Sequence, residues 1–349
     1  MQKNHLLYEV SYIRSFTIFF LVFVHSFIKI GAGGSYAREY FPNPVYELIV
    51  YVFAHFIVEL FSFLAGYVWA YQLLDLGRRY GLFEFIKKKA KRLLLPMLFF
   101  GFFYLLLFFY PSSYSIDSLF LMLLSGPGHL WFLLVLFWSF IILWFIDHFR
   151  LSSVGTLLIL AVLSFIPHFP WPFGFGKLPH LLFFMFCGYL LRKHHEIVQK
   201  KFMNPVAIIL IWILFVVLVV ILAVVNNNDE MIMLSDGIFS SRILSYGLSS
   251  IWCFFEACCV ISALYLTVCF FTTKNGFVPN RYVVSFNKYC YGVYMFHQFV
   301  YVFLYFKMPL YDMVHPYLLP WVGFLITISI SLLLTKLILK THLGRFLIG

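Results

Sequence analysis

The sequence predicts an all-α fold: a polytopic transmembrane helical bundle of about ten spans with both termini cytoplasmic. Three observations lead there. The 349 residues are 63% hydrophobic and only 11% charged, with a mean hydropathy of +0.92, whereas a soluble domain carries about 25% charged residues. Apolar runs long enough to cross a bilayer recur from end to end. The runs are continuous, where the strands of a membrane barrel would alternate apolar and polar positions.

Taken in order, the expected spans are 11–31, 45–73, 90–110, 129–147, 153–166, 179–193, 205–225, 243–271, 289–306 and 315–338. The first is retained rather than cleaved, because Arg14 heads its apolar run and no small-residue cleavage site follows. The fifth is short for a full crossing, and the eighth is long enough to tilt or project beyond the bilayer. A short polar outer loop, Asn226 to Glu230, should separate the seventh and eighth. The chain reads as a single transmembrane domain, 1–349, with no internal repeat and no appended soluble domain.

Charge placement supports this count. With the N-terminus inside, the cytoplasmic segments hold Lys3, a dense run from Arg78 to Arg92, Arg150, Arg192, Lys193, Lys200, Lys201, Lys274, Arg281, Lys288, Lys336, Lys340 and Arg345. Only Lys29, Arg38, Lys177, Arg242 and Lys307 fall outside, as the positive-inside rule requires. The net charge of +11 is thus a matter of topology and lipid. It is spread over several loops, which argues against nucleic acid as a partner. The six cysteines fall in or beside apolar runs with no paired metal-binding spacing, so they read as buried thiols, and no metal is assigned.

Titratable groups inside spans are costly and mark function by default. Arg14 and His25 stand eleven residues apart in "RSFTIFFLVFVH". That is three helical turns, so both share a face, roughly 16 Å apart along the axis. The pattern suits a ligand entering from the cytoplasm, although a snorkelling arginine and a hydrogen-bonded core histidine would give the same spacing. His55 and Glu59, four apart, can meet on one face, either as a structural pair or as an imidazole oriented by a carboxylate. Small residues Ala65 and Gly66 follow and permit close helix packing. His129 lies near a helix start after the turn residues Gly126, Pro127 and Gly128, with Trp131 beside it. Glu256 has no partner in its own helix and should face the bundle interior. Tyr291, Tyr294 and His297 form a partly polar stripe in mid-span.

Together these segments resemble the acyltransferase 3 family of bacterial integral-membrane acyltransferases. Arg14 and His25 are similar to that family's first-span signature. "VELFSFLAGYVWA" resembles its second-span segment, here with Glu59, Phe61, Phe63, Ala65 and Gly66, where Ser-Gly is usual. "KKAKRLLLP" is similar to its basic stretch, with Lys89 where arginine is common, then Arg92 and Pro96. "GHLWFL" matches the fourth-span pattern with His129, Trp131 and Phe132, and "YGVYMFH" resembles the late segment with Tyr291, Tyr294 and His297.

The resemblance implies O-acyl transfer, acetyl by default, from cytoplasmic acyl-CoA to a hydroxyl of a cell-surface polysaccharide or its lipid-linked precursor. It implies a multi-pass protein of the bacterial inner membrane. The donor acyl-CoA (acetyl-CoA) is a co-substrate, and no cofactor is held permanently. His25, Glu59 and His297 are the expected catalytic residues. Arg14, Lys89 and Arg92 are expected to bind the donor, and His129, Trp131, Tyr294 and Glu256 the acceptor. A thioester is already activated, so neither ATP nor metal is required for the chemistry. The rival reading is a non-catalytic transporter or flippase of a polysaccharide or lipid-linked sugar, which mid-membrane polar groups would also suit.

Overall fold

The structure, a computed structural model, describes residues 7–28, 44–108, 115–151, 153–165, 172–232, 238–273, 277–308 and 310–349. Lys3, Lys29, Arg38 and Lys274 of the charge argument lie outside these residues. Among the described residues every regular element is helical and none is a strand. With no water in a bilayer core to satisfy the backbone, apolar chain closes its hydrogen bonds within helices.

The chain opens with α1 (Tyr8–Ile28), then α2 (Pro44–Ala54) and α3 (Ile57–Ala70), separated by a turn at His55 and Phe56. A π-turn, Tyr71–Asp75, ends α3. Next come α4 (Leu82–Lys89), a second π-turn (Ala90–Leu94), α5 (Leu95–Phe108) and α6 (Ile116–Ser125). A 3₁₀ turn, Gly128–Leu130, leads into α7 (Trp131–His148), followed by α8 (Val154–Ser164), a 3₁₀ segment (Pro172–Lys177) and α9 (Leu178–Lys193). The amphipathic α10 (His195–Phe202) meets α11 (Pro205–Ile232) at a 91° bend. Then follow α12 (Ile238–Thr272), α13 (Arg281–Asn287) and α14 (Cys290–Val302), which closes in a third π-turn, Phe303–Lys307. The last helices are α15 (Leu310–Met313), α16 (Leu319–Ile338) and α17 (His342–Ile348).

Local sequence sets many of these starts. Ser115, Ser153, Asn280 and Thr341 each cap the helix that follows by accepting from a backbone N–H of its first turn. Proline opens α11 and occupies the first turns of α9 and α16, where its missing N–H is no loss.

Seven helical stretches among the described residues are long and apolar enough to cross a membrane, and the bent pair α10–α11 makes up to eight. All ten expected segments contain helix; 153–166 and 289–306 fall outside that set, the former because α8 has only 11 residues. One expectation is overturned. Asn226 to Glu230 is not a loop, because α11 continues through it to Ile232. Backbone hydrogen bonding of an established helix propagates cheaply through a few polar residues once nucleated.

The tightest seam joins α3 to α9. A Cβ built at Gly66 would stand 1.8 Å from the Met185 carbonyl oxygen, and one at Gly188 would stand 1.9 Å from that of Phe63. Only glycine lets the two backbones touch, so the close packing expected at Gly66 is present and reciprocated. Around this seam lies one large core that takes in residues of α1, α3, α7, α9, α12 and α14. Outward faces are apolar too: Ile209, Leu210, Ile213 and Val217 of α11 are exposed, as lipid contact demands.

Candidate functional site

Two cavities among the described residues take in most of the residues singled out in the sequence, while His55, Glu59, Glu256 and His297 line neither. The larger, about 500 Å³, is lined by Arg14, Lys89, Arg92, Trp69, Gln72, Asn287 and Tyr291, among others. The smaller, about 210 Å³, is lined by His25, His129, Trp131, Gln298, Leu21 and Val58. Phe61, Phe132 and Tyr294 belong to both walls. Their ring centroids are 6.2 Å (Phe61–Phe132), 6.4 Å (Phe61–Tyr294) and 6.2 Å (Phe132–Tyr294) apart, so the three form an aromatic collar between the chambers. Arg14 and His25 each line one chamber, three turns apart on α1, which places both on the helix's inward face.

The larger chamber is cationic. Arg14 donates to Asn287 Oδ1 at 3.5 Å. The Lys89 ammonium sits 3.2 Å from the centroid of the Phe140 ring, and the Arg92 guanidinium lies 5.1 Å from that of Tyr291. Tyr291 donates its hydroxyl to the Arg92 carbonyl at 2.8 Å, and Arg92 itself donates to the Gly349 carbonyl. None of the three cations pairs with an Asp or Glu side chain among the described residues; the salt bridges there join Glu59 to His180 and Asp75 to Arg192. Three basic side chains with no acidic side chain paired to them suit a polyanionic ligand.

The smaller chamber is lined by His25 and His129 and backed by His297, which is fully buried behind them. His25 Nδ1 lies 2.9 Å from His297 Nε2, and His297 Nδ1 lies 2.7 Å from the backbone carbonyl of Tyr294. A carbonyl can only accept, so His297 must donate from Nδ1. In the neutral ring its Nε2 is then an acceptor, and His25 must donate from Nδ1. The lone pair of His25 is thereby fixed on Nε2, the form a general base needs. His297 is fully buried, and the ring of His129 packs edge-on against it with centroids 4.8 Å apart. Tyr294 donates its hydroxyl to the His129 carbonyl at 2.6 Å, locking the 3₁₀ turn to α14. Trp131, which lines the chamber, takes the Lys177 ammonium 3.6 Å from its ring centroid.

Two expected residues are placed elsewhere. Glu59 meets neither His55 nor His25; its Oε1 pairs with His180 Nε2 at 3.0 Å. The turn between α2 and α3 breaks the helical spacing that would bring His55 and Glu59 onto one face. Glu59 is therefore not a positioning group for His25 in this arrangement. Glu256 is fully buried but lines neither chamber, which is at odds with an acceptor-binding role. His180 went unmarked in the sequence reading, although an intramembrane histidine in "LPHLLFF" carried the same signal as the others. Gln298 and Asn287, both lining residues, gave no comparable signal because neither is titratable.

The fold and site define an integral-membrane helical protein with a cationic chamber and an imidazole chamber divided by an aromatic collar. Residues 7–339, nearly the entire chain, match the acyltransferase domain family. The chain belongs to that family, acyltransferase 3, and is a membrane acyltransferase. No curated protein and no solved structure matches it.

Proposed function

We propose that the protein moves an acyl group, acetyl in the first instance, from cytoplasmic acyl-CoA to a hydroxyl of a cell-surface polysaccharide or its lipid-linked precursor, across the inner membrane of a bacterium. The observation that carries this reading is the pairing of a basic chamber with an imidazole chamber through a shared collar. With ten spans and both termini cytoplasmic, the cationic chamber opens inward. Arg14, Lys89 and Arg92 hold the donor phosphates and orient its pantetheine arm, and the thioester reaches the collar from below. The acceptor enters the other chamber and lies against His129 and Trp131.

The step is a direct displacement. His25 Nε2 removes the proton of the acceptor hydroxyl as its oxygen attacks the thioester carbonyl carbon. The carbon–oxygen bond forms, the carbon–sulfur bond breaks, and the departing thiolate is protonated by His25. His297, hydrogen-bonded to His25, holds the ring in the required tautomer and shares the positive charge as it develops. General-base catalysis of this kind contributes about 10²–10⁴-fold.

The test uses purified protein, acetyl-CoA and mass spectrometry of surface glycans from cells with and without the gene. The expected result is consumption of the thioester and loss of acyl-modified glycan in the deletion strain. A protein that leaves the thioester untouched while glycan export fails would instead be a transporter.

A further inference from the structure

We infer that the bundle contains a binding site for one divalent transition-metal ion of the zinc class, built from His55, Cys253 and Glu256 and separate from both chambers. One ligand atom from each residue lies within 4.8 Å of the other two. Cys253 and Glu256 are three residues apart on α12 and so project from one helical face. His55 occupies the turn that breaks α2 from α3 and turns the chain toward that face.

Glu256 supplies the second observation. It is 0% exposed, and neither carboxylate oxygen has a hydrogen-bond partner among the described residues. An isolated buried carboxylate is among the costliest groups a bundle can hold. A thiolate, a carboxylate and a dication sum to zero charge, so the ion removes that cost without importing net charge into the apolar interior. Imidazole, thiolate and carboxylate together favour zinc-like ions over magnesium or calcium, which take oxygen ligands. Metal–ligand bonds of 2.0–2.3 Å place tetrahedral ligands roughly 3.5 Å apart, so the cluster closes by about 1 Å on binding. Binding takes Cys253 as thiolate and Glu256 as carboxylate, so the thiol proton and the proton that the unpartnered Glu256 carries both pass to solvent, and a water or chain atom completes the fourth position. The sequence conceals the site because its ligands come from segments almost two hundred residues apart, with no cysteine-pair spacing. None of the three lines either chamber, so the ion's role is to tie the α2–α3 break to α12.

The test is titration of chelator-treated, detergent-purified full-length protein with Co²⁺. The expected result is one cobalt per chain, with tetrahedral visible bands and a thiolate-to-cobalt charge-transfer band. Cys253→Ser removes the charge-transfer band, Cys258→Ser keeps it, and Glu256→Gln weakens binding by about 10–100-fold or more. Lack of saturable binding, or a thiolate band that survives Cys253→Ser, overturns the site. Should Cys253→Ser fail to fold, alkylation of the wild-type chain decides. Zn²⁺ is expected to slow iodoacetamide modification of Cys253, mapped by mass spectrometry, while an unchanged rate at Cys253 overturns the proposal.

Discussion

The two chambers are built from the same helices by opposite means. In the cationic chamber the three basic side chains are held by unlike contacts, a 3.5 Å hydrogen bond, aromatic faces and the main-chain oxygen of Gly349. In the imidazole chamber the rings are fixed by short hydrogen bonds that end on a backbone carbonyl. Contacts that bind a polyanion need charge and reach but tolerate movement, whereas a catalytic base must be held in its tautomer and direction. On the function proposed above, placement and fixing of the side chains separate binding from chemistry, since both chambers contain titratable side chains.

The largest expected effect falls on the rigid side. His25→Ala should lower acyl transfer by about 10²–10⁴-fold with protein level unchanged. Surface glycan acylation measured at matched expression checks this, and wild-type acylation would break the division of labour. The cationic side should respond differently. Arg14→Ala or Arg92→Ala should raise KM for acyl-CoA by about 10- to 100-fold while kcat holds, as loss of a charge-assisted hydrogen bond does. Steady-state kinetics with varied donor separates the two parameters, and a pure kcat loss would put these residues in the chemistry instead.

The collar should show an intermediate phenotype. Phe61→Ala opens the wall and should raise acceptor-independent thioester hydrolysis a few fold while transfer falls, because water then reaches the bound thioester. Free thiol release without acceptor is the readout, and unchanged hydrolysis would show that the rings do not seal the chambers. The smallest effect belongs to Trp131→Ala, with about a two- to tenfold rise in acceptor KM from the lost ring contact. A shift in donor KM instead would reverse the assignment of the two chambers.

Much of this arrangement was legible in the sequence, for a physical reason. Burying charge in lipid is so costly that Arg14, His25, His129 and His297 stand out against their apolar surroundings, and three-turn spacing fixes the relation of the first two. The same logic picked out Glu59 and Glu256 but could not name their neighbours. Helical spacing predicts contacts only within an unbroken helix, and the turn at His55 and Phe56 breaks it. The Glu59–His180 pair and the His25–His297 pair span 121 and 272 positions, beyond any periodicity argument. The collar was hidden differently. Its rings are ordinary in a chain that is 22% aromatic, so only their convergence distinguishes them.

The π-turn Ala90–Leu94 lies between Lys89 and the buried face of α5 that carries Phe100 and Tyr104, and it contains Arg92. A π-turn accommodates one residue more than an α-helical turn. Deleting a single residue there would regularise the hydrogen bonding and leave the downstream face close to its present direction, whereas inserting one would rotate everything downstream by about 100° relative to Lys89. This stretch should therefore tolerate the loss of one residue far better than the gain of one.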